Sequence, residues 1–167
     1  MKAKMRLLVV VLVVVALLTA LSPVTGLAQE NKTYFTGKDC PGEITDMGTW
    51  TPLGNGNFHI TGLLSWFTET TSDARLTGME YNVVNGIMDP VTESGPTWGT
   101  IEVVNAGGSW SGQVVGSEEN GSFTLNGLLH GSGGYDGLVA NWGYRPIYDE
   151  EGCAQLIGYI VETGAGN

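Results

Sequence analysis

The chain has few basic residues. Seven Lys and Arg stand against 17 Asp and Glu among 167 residues, and the formal net charge is −10 at pH 7. Lys2, Lys4 and Arg6 all lie at the start, so the rest of the chain is more acidic still. Such a surface repels phosphate backbones and anionic lipid headgroups. We therefore expect no nucleic-acid partner and no membrane-surface partner.

The short motifs of common chemistries are also missing. There is no Gly-x-Ser-x-Gly nucleophile elbow and no Asp-x-Asp-x-Asp calcium loop. Residues 131–134 (Gly-Ser-Gly-Gly) precede no helix-forming stretch, which favours a turn followed by a strand over a phosphate-binding loop. The acidic runs 118–119 and 149–151 are typical of solvated loops. We predict no cofactor and no metal.

The first 28 residues have the order of a secretory signal peptide. Basic residues precede an apolar run from Leu7 to Leu18, and small residues follow. Cleavage after Ala28 fits, because Gly26 and Ala28 then occupy the small-residue positions before the cut. An uncleaved anchor is the alternative, since the run is only slightly short of the roughly 20 residues of a spanning helix. We expect a secreted or periplasmic protein with a single domain over residues 29–167.

Only two cysteines are present, Cys40 and Cys153. Export would place them where disulfides persist, so we predict one bridge that ties the two ends of the domain together. A catalytic thiol is the alternative. It is disfavoured because neither cysteine sits beside a histidine or a basic cluster in the sequence.

Beyond Ala28 the sequence indicates many short strands joined by tight turns. Helical periodicity is absent, every glycine except Gly26 lies at or beyond Gly37, and β-branched and aromatic residues fill the intervals. We predict strands at 43–50, 57–67, 74–84, 97–104, 109–115, 122–129, 134–142 and 154–162. Residues 105–108 form one predicted hairpin connection, and the pair Asn120-Gly121 suits another that needs positive φ.

Residues 56–64 and 121–129 repeat one pattern, with glycines at the equivalent positions Gly62 and Gly127. Alternation places one set of residues inward, namely Phe58, Ile60, Gly62, Leu64 and Trp66. Inward glycines permit the strong coiling that closes a sheet. A two-sheet sandwich is the alternative, but these glycines and the meander favour an all-β, eight-stranded antiparallel barrel. Its interior would be filled by side chains or would hold one small ligand.

Several motifs carry a family resemblance. The segment 129–138 resembles the Gly-Ser-Gly-x-aromatic-acid-Gly stretch of allene oxide cyclases, whose eight-stranded barrel is shared with dirigent proteins. Small exported bacterial proteins of uncharacterised role show a similar motif order, here Arg75–Gly78, Trp98–Thr100 and Gly108–Gly112. The resemblance implies a calycin-like barrel and suggests a cofactor-free cyclase or isomerase. None of the cyclases' catalytic residues is carried over to this sequence.

His59 and His130 are the only histidines, and alternation places both on the polar face. With Glu69 or Asp136 nearby, either could form a metal or acid–base set. Simple surface exposure is the alternative. Tyr135 and Asp136 complete the catalytic candidates for a cyclase.

The five tryptophans are the remaining candidates, at positions 50, 66, 98, 110 and 142. They either fill the core or stack on a sugar or lipid-like ligand, and alternation predicts that Trp66 points inward. The ligand-binding candidates are therefore Trp66, Trp98, Trp110 and Trp142. Our main hypothesis is a non-enzymatic module that binds a small apolar or amphipathic molecule. The alternatives are a cofactor-free isomerase and a structural envelope component, which would have no cavity.

Overall fold

The computed structural model describes residues 31–163, so the predicted signal segment and its cleavage site lie outside the described residues. These described residues form nine strands and one short 3-10 helix. These are β1 (Thr33–Asp46), β2 (Thr49–Pro52), β3 (Phe58–Thr71), the 3-10 helix (Ala74–Leu76), β4 (Gly78–Met88), β5 (Gly95–Asn105), β6 (Gly108–Glu119), β7 (Ser122–Gly133), β8 (Leu138–Tyr148) and β9 (Ala154–Glu162). Among residues 31–163, no helix has the length and apolarity needed to span a membrane.

Eight of the strands close into an antiparallel barrel. The strands follow the order β1-β9-β8-β7-β6-β5-β4-β3-β2, and an additional pairing of β1 with β3 seals the cylinder. Strand β2 stays outside the closed ring and pairs with the first residues of β3. The predicted eight-stranded barrel is confirmed, and the sandwich alternative is wrong.

The predicted turns and most strands are confirmed. Strand β9 has the predicted bounds, and the β5–β6 hairpin closes at the pair Asn105 and Gly108. Asn120 and Gly121 have φ of 51° and 74° between β6 and β7. The strand expected at 134–142 starts only at Leu138, because residues 134–137 form a turn. Strand β1 starts at Thr33, well before the expected 43.

A β-bulge at Gly62 reverses the predicted inside and outside of the second half of β3. Ile60 pairs with Gly86 and Leu63 with Val84, so two residues of β3 oppose one residue of β4. Gly62 has φ of +71°, which favours glycine. Its N–H donates to Oδ1 of Asn85 at 3.0 Å. After the bulge the inward side chains are those of Leu63, Ser65, Phe67 and Glu69.

The repeated pattern therefore has different structures in its two copies. In β7 the alternation continues without interruption, and Leu129 is fully buried. Gly127 faces inward as predicted, because a Cβ there would lie 2.7 Å from Cγ1 of Val114. The equivalent Leu64 of β3 points outward and is 38% exposed.

One end of the barrel is closed by the 3-10 helix. Leu76 is fully buried, and the indole Nε1 of Trp110 donates to the Arg75 carbonyl oxygen at 2.7 Å. Tyr135 stacks on Trp110 with a centroid distance of 5.2 Å, and its hydroxyl donates to Oδ1 of Asn105 at 2.7 Å. The apolar core of the barrel is therefore continuous with this closed end.

The predicted disulfide between Cys40 and Cys153 is confirmed. It joins β1 to the residue that precedes β9. The neighbouring residue Asp39 is also held there, because its backbone pairs with Ala154 of β9 on one side and with Glu69 of β3 on the other.

Candidate functional site

Three carboxyl side chains lie inside the barrel on neighbouring strands. Asp39 of β1 is directly opposite Glu69 of β3, and Glu80 of β4 pairs with Phe67, two positions from Glu69. Because side chains two positions apart on a strand share a face, all three point into the interior. Their exposed fractions are 1%, 0% and 2%. We call Asp39, Glu69 and Glu80 the acid cluster.

Most oxygens of the acid cluster have no hydrogen-bond partner. Nδ2 of Asn82 donates to Oε1 of Glu80 at 2.8 Å. Both Glu69 oxygens, Oδ1 of Asp39, Oε2 of Glu80 and the indole Nε1 of Trp142 are buried without a hydrogen bond of good geometry. Glu69 still lies close enough to Glu80 and Trp142 for both to influence its pKa. Buried polar groups are nearly always hydrogen-bonded, so this concentration of unpartnered atoms marks the site.

Among residues 31–163, no cation compensates the acid cluster. Lys38 binds Glu151 at 2.6 Å on the outer surface, and Arg75 binds Asp73 at 2.6 Å. Nη1 of Arg145 donates to the Leu125 carbonyl oxygen. The influences on the pKa values of the three carboxyls include burial and neighbouring acids but no cation.

Burial raises the pKa of all three carboxyls in the acid cluster. It raises the pKa of Asp39 to about 9, with a further contribution from Glu80. Burial is also the main cause that raises the pKa of Glu69 well above its ordinary value, and the neighbouring acids act in the same direction. The pKa of Glu80 is raised by burial, against the opposing hydrogen bond from Asn82. At neutral pH the barrel interior thus holds Asp39 as a carboxylic acid, which can donate a hydrogen bond.

A cavity of about 170 Å³ adjoins the acid cluster inside the barrel. Asp39 and Glu80 line it, and Trp142 and Tyr144 of β8 face them. Its other walls are mostly apolar, including Leu63, Phe67, Val84, Val114, Phe123 and Leu125. Ile44, which is 53% exposed, lies where this cavity reaches solvent. The arrangement suits one small molecule with an apolar body and a polar end.

At the open end of the barrel, which we call the mouth, the interior cavity continues into a second one. A second cavity of about 110 Å³ shares Leu63, Val84, Thr97 and Phe123 with the first. Trp50 of the outside strand β2 and Glu118 at the end of β6 also line it. Burial raises the pKa of Glu118, with a further contribution from Glu93. The open end of the barrel therefore carries an acid as well.

A larger concavity lies elsewhere, on the outer surface of β3 to β6. It measures about 610 Å³, and Trp66, Tyr81 and Glu102 are among its lining residues. Tyr81 is 50% exposed. This open groove lacks the enclosure and the unpartnered buried atoms of the interior cavity, so we place the candidate site in the interior.

The sequence-predicted catalytic residues do not line the interior cavity. His130 and Asp136 are exposed, on β7 and in the β7–β8 turn, and Tyr135 belongs to the closed end. His59 is half-buried, and its ring lies 6.1 Å from that of Trp98.

The hypothetical metal set is also not assembled. His59 and Glu69 lie near opposite ends of β3. Within residues 31–163, the one group with metal-ligand spacing is Cys40, Glu151 and Cys153. Both of its sulfurs form the disulfide, so they are not available as thiolate ligands.

The tryptophans divide between core and surface. Trp110 and Trp142 are fully buried, and Trp142 and Trp98 border the interior cavity. The prediction that Trp66 points inward is wrong, because the bulge at Gly62 turns it outward. Its ring packs over Gly42 of β1, where a Cβ would overlap it.

Sequence reasoning missed Asp39 and Glu80 and assigned Glu69 to a different chemistry. Asp39 precedes the first predicted strand, so no face was assigned to it. The available signal was the alternation of Glu80, Asn82 and Val84 in β4, which places a carboxyl and an amide on the side of an apolar residue.

The fold and the site together define a small closed β-barrel with an acid-lined interior cavity. Searches with protein-family models, among curated proteins and among solved structures found no match to this chain. The resemblance to allene oxide cyclases and dirigent proteins stays a prediction.

Proposed function

We propose that this protein is an extracytoplasmic binding module that holds one small apolar or amphipathic molecule in its interior cavity. The observation that carries this proposal is the cavity itself, enclosed by apolar and aromatic side chains with two carboxyl groups at one side. Small-molecule sites typically combine such walls with a few placed polar groups. The disulfide supports the extracytoplasmic compartment, because such bonds persist outside the reducing cytosol.

The barrel prepares this site before a ligand arrives. Closure leaves no free edge among the eight strands, and the far end is filled by Leu76, Trp110 and Tyr135. Because this framework is ordered before binding, the protein loses little conformational entropy when a molecule enters the cavity. An envelope component without a binding function would give no reason for the cavity, which is why we favour binding.

A displacement assay with a fluorescent apolar dye tests the proposal. The wild-type protein should bind the dye saturably with one site per chain. Val114→Phe should abolish binding, because Val114 lines the cavity and is 4% exposed. Val115→Phe is the matched control, since Val115 is the next residue on β6 and is 62% exposed on the outer face.

A second variant guards against misfolding of the first. Leu63→Phe narrows the same cavity from the half-buried edge of β3. Circular dichroism and thermal unfolding should show that the variants remain folded. Absence of saturable dye binding by the wild type, or equal binding by the folded Val114→Phe and Val115→Phe variants, would reject the proposal.

A cofactor-free isomerase is the second candidate. The observation that favours it is that Asp39 lines the cavity with its pKa raised to about 9, so it can donate a proton at neutral pH. A bound molecule would then be recovered from the wild type as an isomer of equal mass and altered chromatographic retention. Asp39→Asn should bind the molecule and return it unchanged.

A further inference from the structure

Resting on the proposed binding function, we propose that the cavity selects an organic cation. Its protonated amine would lie against Asp39 and Glu80, and its apolar body would pack among Phe67, Phe123 and Trp142.

The unpartnered oxygens fit an ammonium group. Oδ1 of Asp39 and Oε2 of Glu80 are buried without a geometric hydrogen-bond partner, in residues that line the cavity. An ammonium carries three donors and no acceptor, so it suits a site whose buried polar atoms are mainly carboxyl oxygens. A neutral hydrocarbon would leave them unpartnered.

The charge balance points the same way. The acid cluster has no cation beside it among residues 31–163, so a cationic ligand would compensate the carboxylate that forms when it binds. Glu118 at the mouth and the net charge of −10 make the approach of a cation favourable. The apolar walls favour an amine with a hydrocarbon body over a hydrated metal ion, which keeps its water.

The groups that can titrate against the bound amine are few. Strands β1, β3 and β4 supply the acid cluster. Strand β8 supplies Tyr144, whose side chain interacts with Tyr148. From β6 only Glu118 reaches the adjoining mouth. The residues of β5 and β7 that line the two cavities include no titratable side chain, and β9 lines neither cavity.

Binding of the cation should release a proton. Before binding, the Asp39 carboxyl is protonated at pH 7 because its pKa is about 9. A simple amine is also protonated in water near pH 7. When they meet, the carboxyl O–H gives its proton to the solvent buffer, and the ammonium keeps its own. The products are a carboxylate and an ammonium in contact, with one proton released.

The test compares 2-phenylethylamine with its neutral isostere propylbenzene, using isothermal calorimetry of the purified, disulfide-bonded protein in buffers of different ionisation enthalpy. We expect the amine to bind about tenfold more tightly or better, as charge-assisted hydrogen bonds require. We also expect about one proton released per amine at pH 7 and none for propylbenzene.

Variants locate the effect. Combining Asp39→Asn with Glu80→Gln should reduce the preference for the amine by about tenfold or more and abolish proton release. Glu102→Gln, on the exposed outer face of β5, is the matched control and should change neither. Equal affinity for the two probes, amine binding without proton release, or an unchanged preference in the folded double variant would overturn the inference and leave the proposed binding function standing. No binding of either probe, together with no dye binding, would reject both.

Discussion

Raising the pH from 5 to 8 should destabilise the empty barrel. Asp39 has its pKa raised from 3.8 to about 9 in the folded protein, whereas in the unfolded chain it ionises in the ordinary range. Between these values the folded state holds a proton that the unfolded state has lost. The stabilisation is complete below the unfolded pKa and is lost as the pH rises towards the folded pKa.

The size of the effect follows from the linkage relation. One extra bound proton changes the free energy of unfolding by about 1.4 kcal/mol per pH unit. From pH 5 to 8, each carboxyl that remains protonated only in the folded state would therefore cost about 4 kcal/mol. That is a large part of the roughly 5–15 kcal/mol that stabilises a typical domain. Asp73 and Asp149 act in the opposite sense, since their pKa values are lowered, but their contributions change only at lower pH.

Urea unfolding at pH 5, 6, 7 and 8 with the disulfide intact measures this dependence. Asp39→Asn should reduce the slope by about 1.4 kcal/mol per pH unit, because the amide does not titrate. Subtracting the wild-type slope from the variant slope removes the contributions of the titratable groups that both proteins share. Glu102→Gln should leave the slope unchanged. A wild-type stability that is flat or rises over this range, with a parallel curve for Asp39→Asn, would refute the reasoning.

Three further predictions concern the framework, and urea unfolding checks each one. Trp110→Phe should lower the free energy of unfolding by about 2–4 kcal/mol, because it leaves a buried carbonyl without its donor and opens a cavity. Its control Trp66→Phe, on the outer face, should lower the free energy of unfolding by less than about 1 kcal/mol. Gly158→Ala should lower the free energy of unfolding by about 1–3 kcal/mol, since a Cβ there overlaps the ring of Phe35 and the carbonyl of the paired strand. At Gly54 a Cβ would meet no atom, so Gly54→Ala should change the free energy of unfolding by less than about 0.5 kcal/mol. Reducing the disulfide should cost about 2–5 kcal/mol. Equal effects within either pair, or no loss on reduction, would contradict the packing described above.

The barrel, its turns and its disulfide could be predicted from the sequence because each depends on local chemistry. Glycine spacing, the Asn120-Gly121 pair and two cysteines in a chain with a predicted signal peptide can each be recognised from a short stretch of sequence. The acid cluster could not be read this way. It forms only after β1 pairs with β3, which is a long-range contact, and after the bulge at Gly62 exchanges the faces of β3.

The bulge explains the main errors at the site. Uninterrupted alternation turns Trp66 inward, and the predicted strand ends at residue 67, so Glu69 is only a nearby carboxylate for a hypothetical metal set. Alternation continued to residue 69 would place Glu69 on the face of His59. One extra residue in the strand reverses both assignments, which brings Glu69 into the barrel and leaves Trp66 on the surface. A single positive-φ glycine therefore decides which residues form the site.

The most direct test of the central claim is a carbon-13 NMR titration of the side-chain carboxyls of Asp39, Glu69 and Glu80 in the folded, empty protein. The Asp39 resonance should remain at the protonated position through pH 7, and those of Glu69 and Glu80 should titrate at a higher pH than a carboxyl of ordinary pKa, about 4. Titration of all three together with the exposed carboxyls would contradict the account.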